Sequence, residues 1–369
     1  MMTIVFGLTM VISLTSAIGA NAAPAAIKLT YDQCASGTAN PFTCTTATGG
    51  TNGGWIGSLV GNSNSNYVEG MAVPQRPIFN NIAGGTHTFI WYMSFNNGNA
   101  HGYDFITSIS QAQQLAIDYA GAAYNIDLCA NPPSGFTYAA CQAIISGPNH
   151  YTVNVPEDPY LSGIGTLTTA VQYRLNSFDA RYGHRYIDIY ADAPISPTFS
   201  FTLRHCPNFS PTGCPLGNGL DTTSGQTFIE YTLVFTSAGA ANVIIPYAGH
   251  LGLSANPLID GIGWGSYGAG SINGAAWHMK GPTLDGSGGS QDNQVNLQSA
   301  TLYPFDTVTS KTTLLGGLVH DVVTLTDSLD KNPPLITGTM DYYLCFLNTG
   351  GISPTINSGL ADGCFSKTG

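Results

Sequence analysis

Charge is what this sequence has least of. Only 8% of its 369 residues are Asp, Glu, Lys or Arg, against roughly a quarter in an ordinary soluble chain. Positive charge is the scarcer sign, with 10 Lys and Arg facing 21 Asp and Glu for a formal net charge of −11. So few cations cannot form a basic stripe against a phosphate backbone or an anionic bilayer, which excludes nucleic-acid and lipid-headgroup binding. Long apolar runs are missing after the N-terminal segment, so no spanning helix is expected there. Cys-x-x-Cys is absent, which removes zinc ribbons, thioredoxin-type sites and c-type haem. A Gly-x-Ser-x-Gly elbow is absent too, and Gly261-Ile262-Gly263-Trp264-Gly265-Ser266 lacks the Lys-Ser/Thr of a phosphate loop.

What is present is apolar and neutral-polar. Apolar residues make up 43%, and there are 45 glycines. The length suits two or three domains with a sizeable core. A surface with few titrating groups gains and loses few protons, so stability is expected to respond weakly to acid and salt.

The N-terminus points to export. Ile4 to Ile18 carry no charge and are followed by Ala20-Asn21-Ala22, a small-x-small cleavage pattern, so residues 1–22 read as a secretory leader. It departs from the usual form in having no basic residue before Lys28. A membrane anchor is the alternative, but the stretch is shorter than the ~20 apolar residues a span requires. The expected location is secreted, extracellular or cell-surface, with no membrane insertion once the leader is gone.

Eight cysteines agree with an oxidising compartment. They fall as four sequence-local pairs, Cys34/Cys44, Cys129/Cys141, Cys206/Cys214 and Cys345/Cys364, each beside turn residues. Spacing alone leaves other pairings open, and local pairing is the expectation. Each short loop closed in this way contributes about 2–3 kcal/mol in the chain-entropy model. Asn208-Phe209-Ser210 is the N-x-S/T acceptor, making Asn208 a candidate for glycosylation.

The dominant periodicity is two. Phe199, Phe201 and Leu203 alternate with Ser200, Thr202 and Arg204; Ile229, Tyr231, Leu233 and Phe235 alternate with Glu230, Thr232, Val234 and Thr236; Thr86 to Phe95 is rich in β-branched and aromatic residues. Tyr186–Tyr190, Val243–Tyr247, Asp321–Thr326 and Gly338–Phe346 are further strands between Gly/Pro/Asn/Ser runs. One helix is expected at Ser110–Tyr119, capped by Ser108 or Ser110, with Leu115, Ile117 and Tyr119 as apolar contacts. The class is all-β: an antiparallel β-sandwich, jelly-roll or Ig-like, over residues 23–305, followed by a smaller Ig-like β domain over 306–369.

Two resemblances add to this. Glu69-Gly70-Met71-Ala72-Val73-Pro74, Gly85-Thr86-His87-Thr88-Phe89-Ile90 and Ala100 to Ser108 are similar to an N-terminal domain of secreted, repeat-bearing microbial surface proteins. So are Ala248-Gly249-His250-Leu251, Gly263-Trp264-Gly265, Gly268-Ala269-Gly270-Ser271-Ile272, Trp277-His278-Met279-Lys280 and Leu284 to Asp292. That resemblance implies a surface location and a β fold, and no reaction. The tail, His320 to Leu325 with Thr337 to Cys345 and Gly363-Cys364, resembles the opening strands of bacterial and archaeal Ig-like modules that stack into stalks.

An Ig-type sandwich needs about seven strands in roughly 100 residues, and residues 306–369 are fewer. Either the sequence is a fragment of a longer protein, or a missing strand comes from a neighbour by strand addition. The N-terminus is then the expected donor: the leader if retained, or the segment from Ala23, in which Ile27, Leu29 and Tyr31 alternate onto one face.

Chemistry-bearing clusters are few. The Gly-rich acidic loop Asp285 to Asn293 could set Asp285 and Asp292 around calcium, although it lacks the closing Glu of an EF-hand, and a hydrogen-bonded turn is the plainer reading. His101, His250 and His278 would suit zinc or copper if they converged, with structural histidines as the alternative. Glu157/Asp158 and Asp188/Asp192 are the carboxylate pairs a glycosidase would need. The first two are strand neighbours and point to opposite faces, and Pro194 ends the strand of the second. The 19 Tyr and 4 Trp could stack on sugars or fill the core.

The reading that joins these features is a non-enzymatic structural surface protein without a cofactor, its partners being copies of itself in a filament or sheath. An adhesin or glycan-binding module of a longer stalk comes second, and a secreted polysaccharide-active enzyme third.

Overall fold

The computed structural model describes residues 28–38, 42–45, 53–120, 124–158, 178–207, 209, 225–254, 264, 267–272 and 276–297, and four backbone strands between 307 and 368. The leader, the boundary at 305/306, Ile27, Asn208 and Cys214 lie outside the described residues.

The chain is all-β. It begins with β1 (Lys28–Ala35), β2 (Thr43–Cys44), β3 (Gly54–Ile56), β4 (Ala72–Ile82), β5 (Gly85–Asn97), β6 (Ala100–His101) and β7 (Tyr103–Thr107). Helix α1 (Ile109–Ala120), β8 (Asn125–Ile126) and helix α2 (Tyr138–Ile145) follow. The sandwich continues with β9 (His150–Asn154), β10 (Tyr186–Ala191), β11 (Ser200–Cys206), β12 (Gln226–Ser237), β13 (Ala241–Ile244) and β14 (Tyr247–Leu251). Then come β15 (Trp277–Leu284), β16 (Ser287–Gly288) and β17 (Asp292–Val295), and the tail strands β18 (Thr307–Leu315), β19 (Leu318–Thr326), β20 (Asp341–Cys345) and β21 (Cys364–Thr368).

Two antiparallel sheets form the sandwich. The first runs β3-β1-β4-β13-β10-β9, with β14 pairing the other half of β4 and β7 pairing β14. The second runs β11-β12-β5-β15, flanked by β16 and β17, with β6 on β5. Alternation explains the second sheet: along β11, Ser200, Thr202 and Arg204 are exposed while Phe201 and Leu203 turn inward, as a half-buried strand requires. Phe79, Phe89, Trp91, Tyr231 and Tyr247 fill the space between the sheets, with ring centroids of 4.9 Å for Phe79–Phe89, 4.5 Å for Phe89–Trp91 and 5.3 Å for Trp91–Tyr231. Such pairs contribute about 0.5–1.5 kcal/mol each beyond their area. Gly102 is required here, because a Cβ would sit 2.1 Å from the Trp277 ring.

Strand β4 departs from alternation, being buried on both faces up to Phe79. A third layer covers its outer side: Phe136, Cys141 and Ile144 around α2 pack on Ile78 and Ile244. That layer encloses Arg76, whose guanidinium donates to the carbonyls of Leu128 (2.9 Å), Ala130 (2.6 Å) and Asn131 (3.1 Å) and to Asp32 (2.7 Å). It also lies 4.6 Å from the Trp55 ring centroid.

Several expectations change. Leu29 and Tyr31 are not free to donate: β1 is paired within the chain, Leu29 opposite Phe79 and Tyr31 opposite Pro77, and the Tyr31 hydroxyl meets that of Tyr247 at 2.6 Å in the core. Along Lys28–Gln33 β4 takes one edge of β1, and β3 pairs the other edge at Gln33–Ala35. Helix α1 buries Ala112, Leu115 and Ala116, whereas Ile117 is exposed. Helix α2 was not anticipated, because its run Tyr-Ala-Ala-Cys-Gln-Ala-Ile-Ile has no clear period; Thr137 caps it by accepting from the Ala140 amide. The strand expected at Val243–Tyr247 divides at Ile245-Pro246 into β13 and β14, since Pro supplies no ladder donor.

Cys34–Cys44 and Cys129–Cys141 are disulfides. Cys206 is disulfide-bonded as well. In the tail, Cys345 stands opposite Cys364 in the β20–β21 ladder. β18 pairs β19 and β20 pairs β21 as two separate two-stranded ladders. Among the described residues, no helix is long and apolar enough to cross a membrane.

Candidate functional site

Charged groups are scarce in the sequence, so where they gather is informative. They gather where α1 faces the segment 178–186. Helix α1 begins with a reciprocal cap: the Gln111 amide donates to Ser108 Oγ (3.1 Å), and the Ser108 amide donates to Gln111 Oε1 (3.1 Å). This is a Ser-x-x-Gln capping box. The same Gln111 side chain donates from Nε2 to the carbonyls of Tyr182 (3.2 Å), Gly183 (3.1 Å) and His184 (3.1 Å), tying the helical turn over 178–182 to α1. Between them lies an open cleft of about 450 Å³ lined by Ser110, Gln111, Gln114, Asp118, Arg181, Tyr182 and Tyr186.

Asp118 organises the cleft. It accepts from the Tyr182 hydroxyl (2.7 Å), from Arg181 Nε (3.1 Å) and from Gln114 Nε2 (3.3 Å). Arg181 Nη2 lies 3.0 Å from the same oxygen, so two guanidinium nitrogens converge on Asp118 Oδ2. Burial, then the hydrogen bond to Asp118, push the Tyr182 phenol well above its ordinary value, so it stays a donor.

Behind the cleft, Glu157, Asp179 and His184 bring ligand atoms within 4.8 Å of one another. His184 Nδ1 is 3.2 Å from Asp179 and 3.8 Å from Glu157. The buried Arg185 guanidinium lies 3.6 Å from Glu157 and 3.5 Å from Asp179, so it already supplies the positive charge a cation would bring. We read this group as an ion cluster in which Arg185 stands where a metal cation would.

His250 and His278 are tied to carboxylates and His101 to an aromatic ring, and the expected metal sets do not assemble. His250 Nδ1 meets Asp104 at 2.6 Å, and its ring stacks on Phe105 at 4.4 Å. His278 meets Asp292 at 2.8 Å. His101 stacks on Trp264 at 3.5 Å. The three imidazoles thus serve three different partners, and they are not among the convergent ligand groups of the described residues. Asp285 and Asp292 likewise do not join around one ion. Asp285 sits at φ 52° in the turn before Gly286. Its carboxylate meets His87 Nδ1 (2.7 Å) and the Thr88 amide (2.8 Å), while Asp292 serves His278.

The glycosidase pairs separate as well. Glu157 is exposed and Asp158 is buried against His205 at 2.8 Å. Asp188 meets His150 at 2.7 Å, while Asp192 is used by Asn242, accepting its amide at 2.7 Å and its side chain at 2.6 Å.

The patches that carry the surface-protein resemblance do come together, as a buried junction. Glu69 accepts from the Ser254 amide (2.6 Å), the Ser254 hydroxyl (2.9 Å) and the Gly270 amide (2.6 Å). Burial pushes its carboxyl above the ordinary value, and these donors act against that. Asp104 receives Trp264 Nε1 at 3.3 Å beside His250. Packing between loops accounts for these residue types.

The cleft is what sequence reasoning missed. Ser108-x-x-Gln111 and the every-fourth-residue run Ser110, Gln114, Asp118 were the available signals. Comparison with known proteins returns no match: no family model fits the chain, and no curated protein or solved structure is significantly similar to it.

Proposed function

We propose that this chain is an exported, non-enzymatic structural protein of an extracellular surface, and that copies join through strand pairing at the tail hairpins. The observation that carries this reading is that the tail's described strands form two separate two-stranded ladders, each paired only within itself. Among the described residues, the outer edges of β18–β19 and β20–β21 have no strand partner. A lone two-stranded hairpin is marginal in water, and an open edge is a template for another chain. The donor differs from the one expected from sequence, because β1 is committed to its own sheet.

Three further features support the reading. The disulfides suit an oxidising compartment, residues 1–22 read as a leader, and among the described residues His87, His150, His205, His250 and His278 are each bonded to a carboxylate. The test is electron microscopy and light scattering of the secreted full-length chain, beside a version lacking 307–369. Ordered assemblies that vanish on removal of the tail are expected, together with a mature N-terminus at Ala23. A monodisperse full-length monomer at high concentration overturns the assembly.

A further inference from the structure

The α1 cleft is lined throughout by polar and phenolic side chains. Along α1, Ser110, Gln114 and Asp118 recur every fourth residue, so they form one row with steps of about 6 Å. Arg181, Tyr182 and Tyr186 line the opposite side. Gln111 sits beneath, its amide hydrogens consumed by three carbonyls. Toward the opening stand the Ser110 hydroxyl, the Gln114 amide, the Tyr186 ring and the Asp118–Arg181 pair, whose charges cancel and whose Asp118 carboxylate also accepts from Gln114 and the Tyr182 hydroxyl.

From this arrangement we infer that the cleft binds a neutral oligosaccharide. The step along the helix row matches the length of one hexose unit, so successive units of an extended chain meet successive polar side chains. The Asp118–Arg181 pair presents an acceptor, Oδ1, beside the guanidinium donors, the pattern that adjacent hydroxyls of one sugar ring complement. Half-buried Tyr186 supplies an aromatic surface for the C–H face of a ring.

Other ligand classes fit less well. The Arg181 fork is already directed at Asp118, which leaves little surplus positive charge for a carboxylate or phosphate. Seven polar or phenolic side chains give an apolar ligand no dry wall. With a net charge of −11, the chain repels nucleic acid. The inference holds for a single molecule and is independent of assembly through the tail.

The experiment is calorimetric titration of the full-length protein with neutral gluco-, manno- and xylo-oligosaccharides, with the matching uronic-acid oligosaccharides and an acidic peptide as controls. Saturable binding of at least one neutral series is expected. Gln114→Ala and Tyr186→Ala each weaken it about tenfold or more. Gln114 is exposed, so Gln114→Ala leaves the unfolding midpoint in place and separates lost binding from lost folding. Absence of saturable binding by every neutral series overturns the inference. So does binding indifferent to both substitutions, or a preference for the uronic-acid series or the peptide.

Discussion

Two arginines, one under the α2 layer and one at the α1 cleft, show how differently the molecule uses its few cations. Arg76 is fully enclosed, with Asp32 and three backbone carbonyls around it, and burial lowers the pKa of the guanidinium. The side chain of Arg181 is 60% exposed and meets one carboxylate at the rim of a cleft. The first is a fastener for a layer with no continuous secondary structure of its own, since the loop before α2 must satisfy its carbonyls somewhere. The second organises an opening. The α2 side spends polar groups on the fold, and the α1 side keeps some in hand.

The largest effect that would sharpen this contrast is expected from Arg76→Met. It strands Asp32 and three carbonyls, and the loss is about 3–5 kcal/mol, read from chemical denaturation. Removing the nearby disulfide with Cys129→Ala and Cys141→Ala is expected to cost about 2–4 kcal/mol in the same assay, because the loop that cradles Arg76 regains freedom when unfolded.

An intermediate case is Glu69→Gln, at about 1–2 kcal/mol, because an amide cannot accept from all three donors. Its pH signature is specific. A carboxyl whose folded pKa is raised contributes stability that is present below the unfolded value and is lost as pH rises through the folded one. That falling contribution disappears in Glu69→Gln, as parallel pH series of unfolding free energy will show.

On the cleft side, Asp118→Asn weakens a largely solvent-facing pair and is expected to cost about 1 kcal/mol or less. Gln114→Ala is expected to change stability by under about 0.5 kcal/mol. A Gln114→Ala loss as large as that of Arg76→Met would break the comparison outright.

Much of the second sheet was legible in the sequence because one of its faces is wet. Alternation in β11 and β12 reports that directly, β5 showed through its β-branched and aromatic content, and the short loops between neighbouring cysteines pointed to Cys34–Cys44 and Cys129–Cys141. The first sheet was harder to read. In β4, Gln75 and Arg76 are as buried as Val73 and Phe79, because the α2 layer covers the outer face, and a pattern of period two vanishes when both sides are dry. For the same reason β1 looked like a spare strand: Leu29 and Tyr31 show the right alternation, and only the pairing reveals which molecule they serve. The candidate site was least legible, since its walls come from α1 and from residues some seventy positions later. The links between them are side-chain amide to carbonyl bonds, which leave no periodic trace.

The bridging role of Gln111 has a kinetic consequence. One buried side chain caps the start of α1 through Oε1 and holds the end of the 178–182 turn through Nε2, so losing the Nε2 bonds alone is enough to let the two banks part. Gln111→Ala is therefore expected to loosen the spacing of the banks and to quicken amide exchange at 182–184, while Gln114→Ala is not.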